Sequence, residues 1–122
     1  MSLDYHLEAD KNLSLNHVES ALISADWKDI KLTGNVITGW APGFLIHAKR
    51  LEHPESIVCE NTRGLAFPKY LHCYIRAKEP NSNDVFNKFL ESIKQTSEAN
   101  FLVSFQFETL MFWRDDKGLH RA

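Results

Sequence analysis

The sequence is short of cysteine, of clustered glycine and of long apolar runs. Its two cysteines, Cys59 and Cys73, are too few for a disulfide-stapled scaffold, and we expect both thiols to be reduced, with a disulfide between them as the alternative. No apolar stretch approaches the roughly 18 residues that a membrane-spanning helix needs. Residues Met1 to Asp4 lack the basic and apolar regions of a signal peptide. These absences predict a cytoplasmic protein that does not bind a membrane.

Motifs for catalysis, cofactor binding and metal binding are also missing. The five glycines are scattered and form no phosphate-binding loop. No two of the six histidines stand four residues apart, and none lies two to four residues from a cysteine, so metal-ligand spacing is absent. His47 and His72 can meet across strands, but His72 and Cys73 point to opposite faces of one strand and form no nucleophile–base pair. The sequence therefore predicts no enzyme activity, no cofactor and no metal.

The charge of the chain is nearly balanced overall but uneven along it. The net charge of −2 disfavours nucleic acid as a partner, because phosphate binding needs a basic surface. Acidic residues outnumber lysines within residues 1–30. Such an acidic end can attract a basic protein partner, with a solvated surface that keeps the chain soluble as the alternative. These acidic residues are Asp4, Glu8, Asp10, Glu19, Asp26 and Asp29.

A length of 122 residues predicts one domain, residues 1–122, that contains both strands and helices. Leu3, Tyr5 and Leu7 alternate with polar residues, as in a half-buried strand. Apolar residues at helical spacing follow the candidate N-cap Ser14 and return around Phe89, which predicts two helices. Strands outnumber helices too strongly for repeated βαβ units. We therefore expect an α+β fold, with an antiparallel or mixed sheet of about five to seven strands and both helices packed on it.

Two segments between the strands are predicted to be loops. Gly39 to Gly43 contains two glycines and a proline around Trp40, which breaks both regular periods. Lys49 to Glu55 mixes charges of both signs and contains Pro54. By contrast, Lys69 to Arg76 is expected to be a central strand, with Tyr70, His72 and Tyr74 on one face and Leu71, Cys73 and Ile75 on the other.

Three stretches of the chain support a family resemblance. The first is Ser2-Leu3-Asp4-Tyr5-His6-Leu7-Glu8, a polar link, and Leu13-Ser14 opening a helix. The second is Gly64-Leu65-Ala66-Phe67-Pro68 running into the strand Tyr70 to Arg76. The third is the second helix followed by Ala99 to Glu108, an apolar strand and Asp116-Lys117-Gly118-Leu119. In this pattern the chain resembles a family of small bacterial immunity proteins, which includes the guards against swarming-inhibition toxins.

The resemblance implies a protein that binds a cognate toxin domain and blocks its active site or its activation, without catalytic residues of its own. Such a protein, which we expect to be a monomer, presents a few aromatic anchors ringed by charge. The predicted anchors are Trp27, Trp40 and Trp113. The predicted steering charges, for a basic toxin such as a nuclease, are Asp10, Asp26, Asp29, Glu52 and Glu55.

The alternative function is a small-ligand or regulatory binding module. Its pocket is expected between the sheet and the helices, lined by Tyr70, His72 and Tyr74, which share one face of the central strand.

Overall fold

The computed structural model describes residues 3–60, 62, 64–77 and 83–121. Within these residues the chain forms one sheet of eight strands with two helices, which confirms the α+β class and adds one strand to the upper end of the expected range. The strands are β1 (Leu3–Ala9), β2 (Lys28–Thr33), β3 (Val36–Ala41), β4 (Phe44–Glu55), β5 (Lys69–Ala77), β6 (Phe101–Phe105), β7 (Thr109–Asp115) and β8 (Gly118–Arg121). The helices are α1 (Leu15–Ser24) and α2 (Asn83–Thr96).

The sheet consists of two meanders joined by the first strand of the chain. The strand order is β2-β3-β4-β5-β1-β6-β7-β8, and every neighbouring pair is antiparallel. Strand β1 lies between β5 and β6, so it has a hydrogen-bonded neighbour on each side. The polar residues of β1 are thereby held near the middle of the sheet, where burial depends on what covers that face.

Both helices pack on one face of the sheet, which we call the helix face. Leu7 and Ala9 of β1 point to this face and are fully buried. Cys73 of β5 is fully buried on the same face, as its position opposite His72 predicts. The helices contribute the other side of this core with Val18, Ala21, Leu22, Phe86, Phe89, Leu90 and Ile93.

Helix α1 begins at a capping box. The backbone N–H of His17 donates to Ser14 Oγ at 3.2 Å, and the backbone N–H of Ser14 donates to His17 Nδ1 at 3.1 Å. The predicted N-cap is therefore confirmed, and two N–H groups at the start of the helix are satisfied. Neither helix in the described part of the chain is long and apolar enough to span a membrane.

The predicted loop Gly39 to Gly43 is wrong. Strand β3 continues to Ala41, and only the proline and glycine that follow make the turn into β4. The glycine at position 39 lies in the strand on the helix face, where a Cβ would make an ordinary van der Waals contact, at 3.5 Å, with a methyl carbon of Leu22. Trp40 consequently stands on a strand, with its side chain on the face opposite the helices.

The predicted loop Lys49 to Glu55 is also wrong. These residues form the second half of β4, the longest strand of the described chain. The register between β4 and β5 shifts between Arg50 and Glu55, and Pro54 lies inside that irregular stretch. A proline is tolerated there because the missing N–H is not needed for the regular ladder.

The face opposite the helices, which we call the open face, is covered only in part. Ile57, Cys59, Leu65 and Phe67 come from the segment between β4 and β5 and cover a small apolar cluster on β6 and β7. That cluster consists of Leu102, Leu110 and Trp113. In the described residues, the part of the open face formed by β3, β4 and β5 has no such cover and exposes its side chains.

Candidate functional site

A hollow on the open face gathers polar and aromatic side chains from three neighbouring strands. His47, Tyr74 and His6 occupy one cross-strand row, and Lys49 and His72 are paired in the next row. All of them point away from the helices because side chains alternate between the faces of a strand. The hollow has a volume of about 370 Å³. We call it the histidine hollow, and its lining residues are His6, His47, Lys49, Leu51, His72, Tyr74 and Phe107.

A buried ion pair lies beneath the hollow. Lys69 Nζ donates to Glu8 Oε2 at 3.0 Å, and both side chains are almost completely inaccessible to solvent. The Glu8 carboxylate also accepts the backbone N–H groups of Val58 at 2.8 Å and of Cys59 at 3.1 Å. Two charges removed from water need such additional partners, because their attraction alone does not offset the desolvation. Glu8 therefore joins the segment between β4 and β5, which we call the covering segment, to strand β1 at the centre of the sheet.

A chain of hydrogen bonds runs from this ion pair into the hollow. Lys69 Nζ lies 3.4 Å from His72 Nδ1, and His72 Nε2 lies 2.9 Å from His6 Nδ1. Because the ammonium group can only donate, His72 Nδ1 accepts, and the neutral His72 ring carries its proton on Nε2. That proton is donated to His6 Nδ1, so the proton of neutral His6 is on Nε2. The buried lysine thus fixes both tautomers.

We call the hydrogen-bonded chain Lys69–His72–His6 the relay. Both of its histidines are uncharged at neutral pH. Burial lowers the pKa of His72 to about 4, and the positive charge of Lys69 and the neighbouring His6 act in the same direction. Burial also lowers the pKa of His6, against the opposing effect of the Asp4 and Glu8 carboxylates. The floor of the hollow is therefore uncharged, and the positive charge at its rim belongs to Lys49.

One wall of the hollow is a phenylalanine in a strained backbone conformation. Phe107 has φ 63° and the preceding Gln106 has φ 54°, so the first two residues of the β6–β7 loop are left-handed. A bulky residue rarely adopts this conformation, which glycine or asparagine normally supplies. The ring of Phe107 stacks on His6 with 3.7 Å between ring centroids and 19° between planes. The turn therefore holds this ring over the relay.

A second feature of the open face is an exposed apolar pair, which we call the tryptophan patch. Trp40 is 44% exposed and Leu45 is 46% exposed, and they face each other on β3 and β4. The row continues to Lys28 of β2 on one side and to Arg76 of β5 on the other. A large ring next to an aliphatic side chain, with charge around both, is the composition of a protein-binding anchor.

The structure corrects two of the predicted partner residues. Trp27 is 4% exposed and its ring lies against Phe44 and Phe89, so it belongs to the core and cannot reach a partner. Asp10 is 8% exposed and accepts the backbone N–H groups of Asn12 and Asn100 at 2.9 and 3.1 Å. Its carboxylate is used to join two segments of the chain and not to attract a distant charge.

Trp113 is half-buried and sits away from the tryptophan patch. It belongs to the small cluster under the covering segment, and its ring stacks on His120 with 5.2 Å between centroids. Strands β7 and β3 lie far apart in the sheet order, so Trp113 and Trp40 do not form one patch.

The four remaining acidic predictions are exposed but lie at two different places. Asp26 precedes the edge strand, and Asp29 lies in a bulge of β2 next to Lys28, the partner of Trp40. Glu52 and Glu55 lie towards the far end of β4, and Glu52 is seven residues beyond Leu45, or about 23 Å along an extended strand. Only Asp26 and Asp29 therefore lie close enough to Trp40 to belong to the same interface.

Sequence reasoning identified His47, His72 and Tyr74 as side chains that can share a face, but it missed the partners that make the site. Alternation in β1 placed His6 on the polar face, and nothing local indicated that β1 would lie next to β5. The expected pocket between sheet and helices is also corrected. Tyr70, His72 and Tyr74 lie on the open face, because Leu71 and Cys73 fill the helix face.

The described residues contain no cluster of three histidine, cysteine or acidic side chains arranged to hold a metal ion. Fold and site together define an antiparallel α+β protein with helices on one face and a histidine-rich, aromatic hollow on the other. Comparisons of the chain with protein-family models, with curated proteins and with solved structures found no match.

Proposed function

We propose that this chain is an immunity protein, which binds a cognate bacterial toxin domain in the cytoplasm and neutralises it without catalysis. Two lines of support converge on binding: the resemblance of three stretches of the sequence to such proteins, and the tryptophan patch. The observation that carries the proposal is the exposure of the Trp40–Leu45 pair on the uncovered part of a rigid sheet.

The tryptophan patch has the anatomy of an interface centre. Trp40 presents a large ring from a regular strand, so little conformational freedom is lost when a partner covers it. Asp26 and Asp29 lie at the adjoining sheet edge and can guide a basic partner towards the ring. A toxin domain that receives Trp40 in its active-site cleft would be blocked by occlusion alone.

The proposal is tested by a rescue assay in cells. The gene next to the one for this chain is searched for a large secreted protein with a variable C-terminal domain, and that domain is expressed with and without this chain. We expect the domain to arrest growth when expressed alone and the chain to restore growth. The absence of a toxic domain beside the gene, or toxicity that the chain does not relieve, contradicts the proposal.

Binding of the purified toxin domain then locates the interface. Replacing Trp40 with alanine is expected to weaken the affinity by about 30-fold or more, the size of a hot-spot effect of about 2 kcal/mol. The matched control is Ile23→Ala, which removes a side chain that is 60% exposed on helix α1 at the other side of the molecule. Equal affinities of the two variants would exclude the tryptophan patch as the interface centre.

The acidic residues supply a second control. Asp26→Asn combined with Asp29→Asn is expected to slow association, most strongly at low salt. Glu52→Gln is expected to change the rate little, because it lies about 23 Å along β4 from the patch and the screening length at physiological salt is about 8 Å. A larger effect at Glu52 would move the interface to the far end of β4.

A second candidate function is binding of a small ligand, and the histidine hollow favours it. Its volume of about 370 Å³ is that of a small-molecule site. A ligand that binds only the folded state raises the unfolding temperature, so melting curves against a set of small organic molecules test this candidate. No shift with any of them, at concentrations where weak ligands saturate, would exclude it.

A further inference from the structure

The histidine hollow is walled by rings. His6, His72, Tyr74 and Phe107 form a contiguous set in which neighbouring ring centroids are 3.7 to 5.6 Å apart. Such rings present flat apolar surfaces and gain most from a flat guest that stacks on them or meets them edge to face. The volume of about 370 Å³ suits a guest with one or two fused rings and not a polymer.

Most polar atoms of the hollow are already bonded within the protein. The Tyr74 hydroxyl donates to Asp4 Oδ1 at 2.9 Å, and both ring nitrogens of His72 take part in the relay. The relay leaves the Nε2–H of His6 without a protein acceptor among the described residues. Lys49 likewise has no carboxylate within 4.0 Å in the described part of the chain. Of the remaining polar groups, Lys49 is a cation and His6 offers a donor, while the neutral ring of His47, which also lines the hollow, offers one donor and one acceptor nitrogen.

The turn that holds Phe107 is a third observation. Two consecutive left-handed residues without glycine cost of order 1 kcal/mol each, and such strain persists where the surroundings hold it. The ring that this strained turn positions does not join the helix-face core, since it lies against His6 at the hollow. The strained turn therefore places the Phe107 ring in the wall of the hollow and not in the core.

We infer that the histidine hollow binds a small planar aromatic carboxylate, with its ring against Phe107 and Tyr74 and its carboxylate towards Lys49 and the Nε2–H of His6. The inference rests on the second candidate function, ligand binding in the hollow, and is independent of toxin binding. It names the chemistry of the ligand: an aromatic body matched to the ring walls, and one negative charge matched to Lys49 at the rim and to the Nε2–H of His6.

Three probes of similar size test this assignment with the unmodified chain. They are naphthoate, its neutral analogue naphthamide, and decahydronaphthalenecarboxylate, which keeps the charge and the carbon skeleton but is not aromatic. Binding is followed by the backbone amide shifts of an isotope-labelled sample during titration, so that both the affinity and the location are measured. We expect naphthoate to shift the amides around Lys49 and Phe107 and to bind at least fivefold more tightly than either analogue.

Each other outcome overturns a defined part of the inference. Equal affinity of naphthamide would remove the anion from the assignment, and equal affinity of decahydronaphthalenecarboxylate would remove the aromatic ring, while ligand binding in the hollow would stand in both cases. No shift at the hollow with any probe at millimolar concentration would overturn the inference, and so would naphthoate binding at another surface. The second candidate function is decided separately, by the melting curves against the wider set of small molecules.

Two variants and a control distinguish the contribution of the Lys49 charge from that of the Phe107 ring. Lys49→Met is expected to weaken naphthoate binding about fivefold and to leave naphthamide unchanged. Phe107→Gly suits the left-handed backbone and removes the wall, so it is expected to weaken both aromatic probes while the fold is kept. The control Lys31→Met removes an exposed cation from the edge strand β2 and is expected to change neither affinity. An effect of the control as large as that of Lys49→Met would overturn the role of Lys49.

Discussion

Glu8, Lys69 and His72 show how single residues of ordinary type acquire unusual properties from their neighbours. Lysine side chains usually lie at the surface, yet Lys69 is only 1% exposed. Its burial is possible because the ammonium group pairs with the Glu8 carboxylate, which in turn accepts two backbone N–H groups of the covering segment. A buried ion pair of this kind adds little net stability, but it can specify one arrangement of the side chains around it. Here the Lys69 ammonium group determines which ring nitrogen of His72 accepts a hydrogen bond, and so determines the tautomers of the relay.

The lowered pKa of His72 makes stability depend on pH. The unfolded chain binds a proton to this residue below about pH 6.5, whereas the folded chain does so only near pH 4, so acid favours unfolding. We expect the free energy of unfolding to fall by about 3 kcal/mol between these two pH values through His72 alone. Urea unfolding at pH 7, 6, 5 and 4 measures the decline.

The matched variants isolate the contribution of that residue. His72→Phe keeps a ring but cannot titrate, so its stability should decline less steeply with acid, whatever its value at neutral pH. The exposed His47, changed to Asn, should keep most of the decline, because its charge is the smallest of the causes that lower the pKa of His72. Parallel pH curves for His72→Phe and the unmodified protein would show that His72 is not the titrating group.

At the level of single elements, the β6–β7 turn departs most from what its sequence favours. Phe105 pairs with Thr109, so the loop has three residues, and the Glu108 N–H donates to the Phe105 carbonyl at 3.0 Å. The first two loop residues, Gln106 and Phe107, both have positive φ without being glycine or asparagine. Local preference alone would place other residues here, so contacts beyond the hairpin hold the conformation. The Gln106 N–H donates to the Asp4 carbonyl at 2.9 Å, the Phe107 carbonyl accepts from the Glu60 N–H at 2.9 Å, and the Phe107 ring stacks on His6.

Replacing each of the two left-handed residues with glycine distinguishes the cost of the backbone strain from the benefit of the Phe107 ring contact. Gln106→Gly removes a strained, exposed residue and is expected to raise the free energy of unfolding by roughly 0.5–1 kcal/mol. Phe107→Gly relieves the same strain but loses the stacked ring, worth a similar amount or more, so no gain is expected. Urea unfolding of both variants at pH 7 makes the comparison. A gain for Phe107→Gly as large as for Gln106→Gly would mean that the ring contributes nothing.

The whole molecule has two cores of different size on the two faces of one sheet. The large core joins both helices to the sheet, and the small one joins the covering segment to β6 and β7. Cys73 lies in the first and Cys59 in the second, so the two sulfur atoms are on opposite sides of the sheet and no disulfide joins them. The expected reduced state therefore agrees with the geometry.

The two thiols report on the two cores separately. Burial raises the pKa of the Cys73 thiol, and its reaction with a thiol reagent requires the large core to open. We expect Cys59 to react through local release of the covering segment, at a rate that low urea concentrations hardly change. Cys73 should react only through global unfolding, at a rate that rises steeply with urea. Mass spectrometry of the labelled chain follows each site, with Cys59→Ser and Cys73→Ser as single-thiol controls. Identical urea dependence would mean that both cores open as one unit.

The sequence by itself determined the elements whose pattern is local. The alternation Leu3-Tyr5-Leu7 and the period of α2 each predict one apolar face, and Ser14 marks the start of a helix. The helices and the α+β class followed from these patterns, and the alternation in Lys69 to Arg76 placed Cys73 in the core. The tertiary structure alone decided what lies side by side. It kept Gly39 and Pro54 in strands, placed Trp27 and Asp10 inside, and brought β1 between β5 and β6, where His6 meets His72. Local pattern records whether a side chain is buried, whereas its partner depends on a strand order set by contacts between residues far apart in the chain.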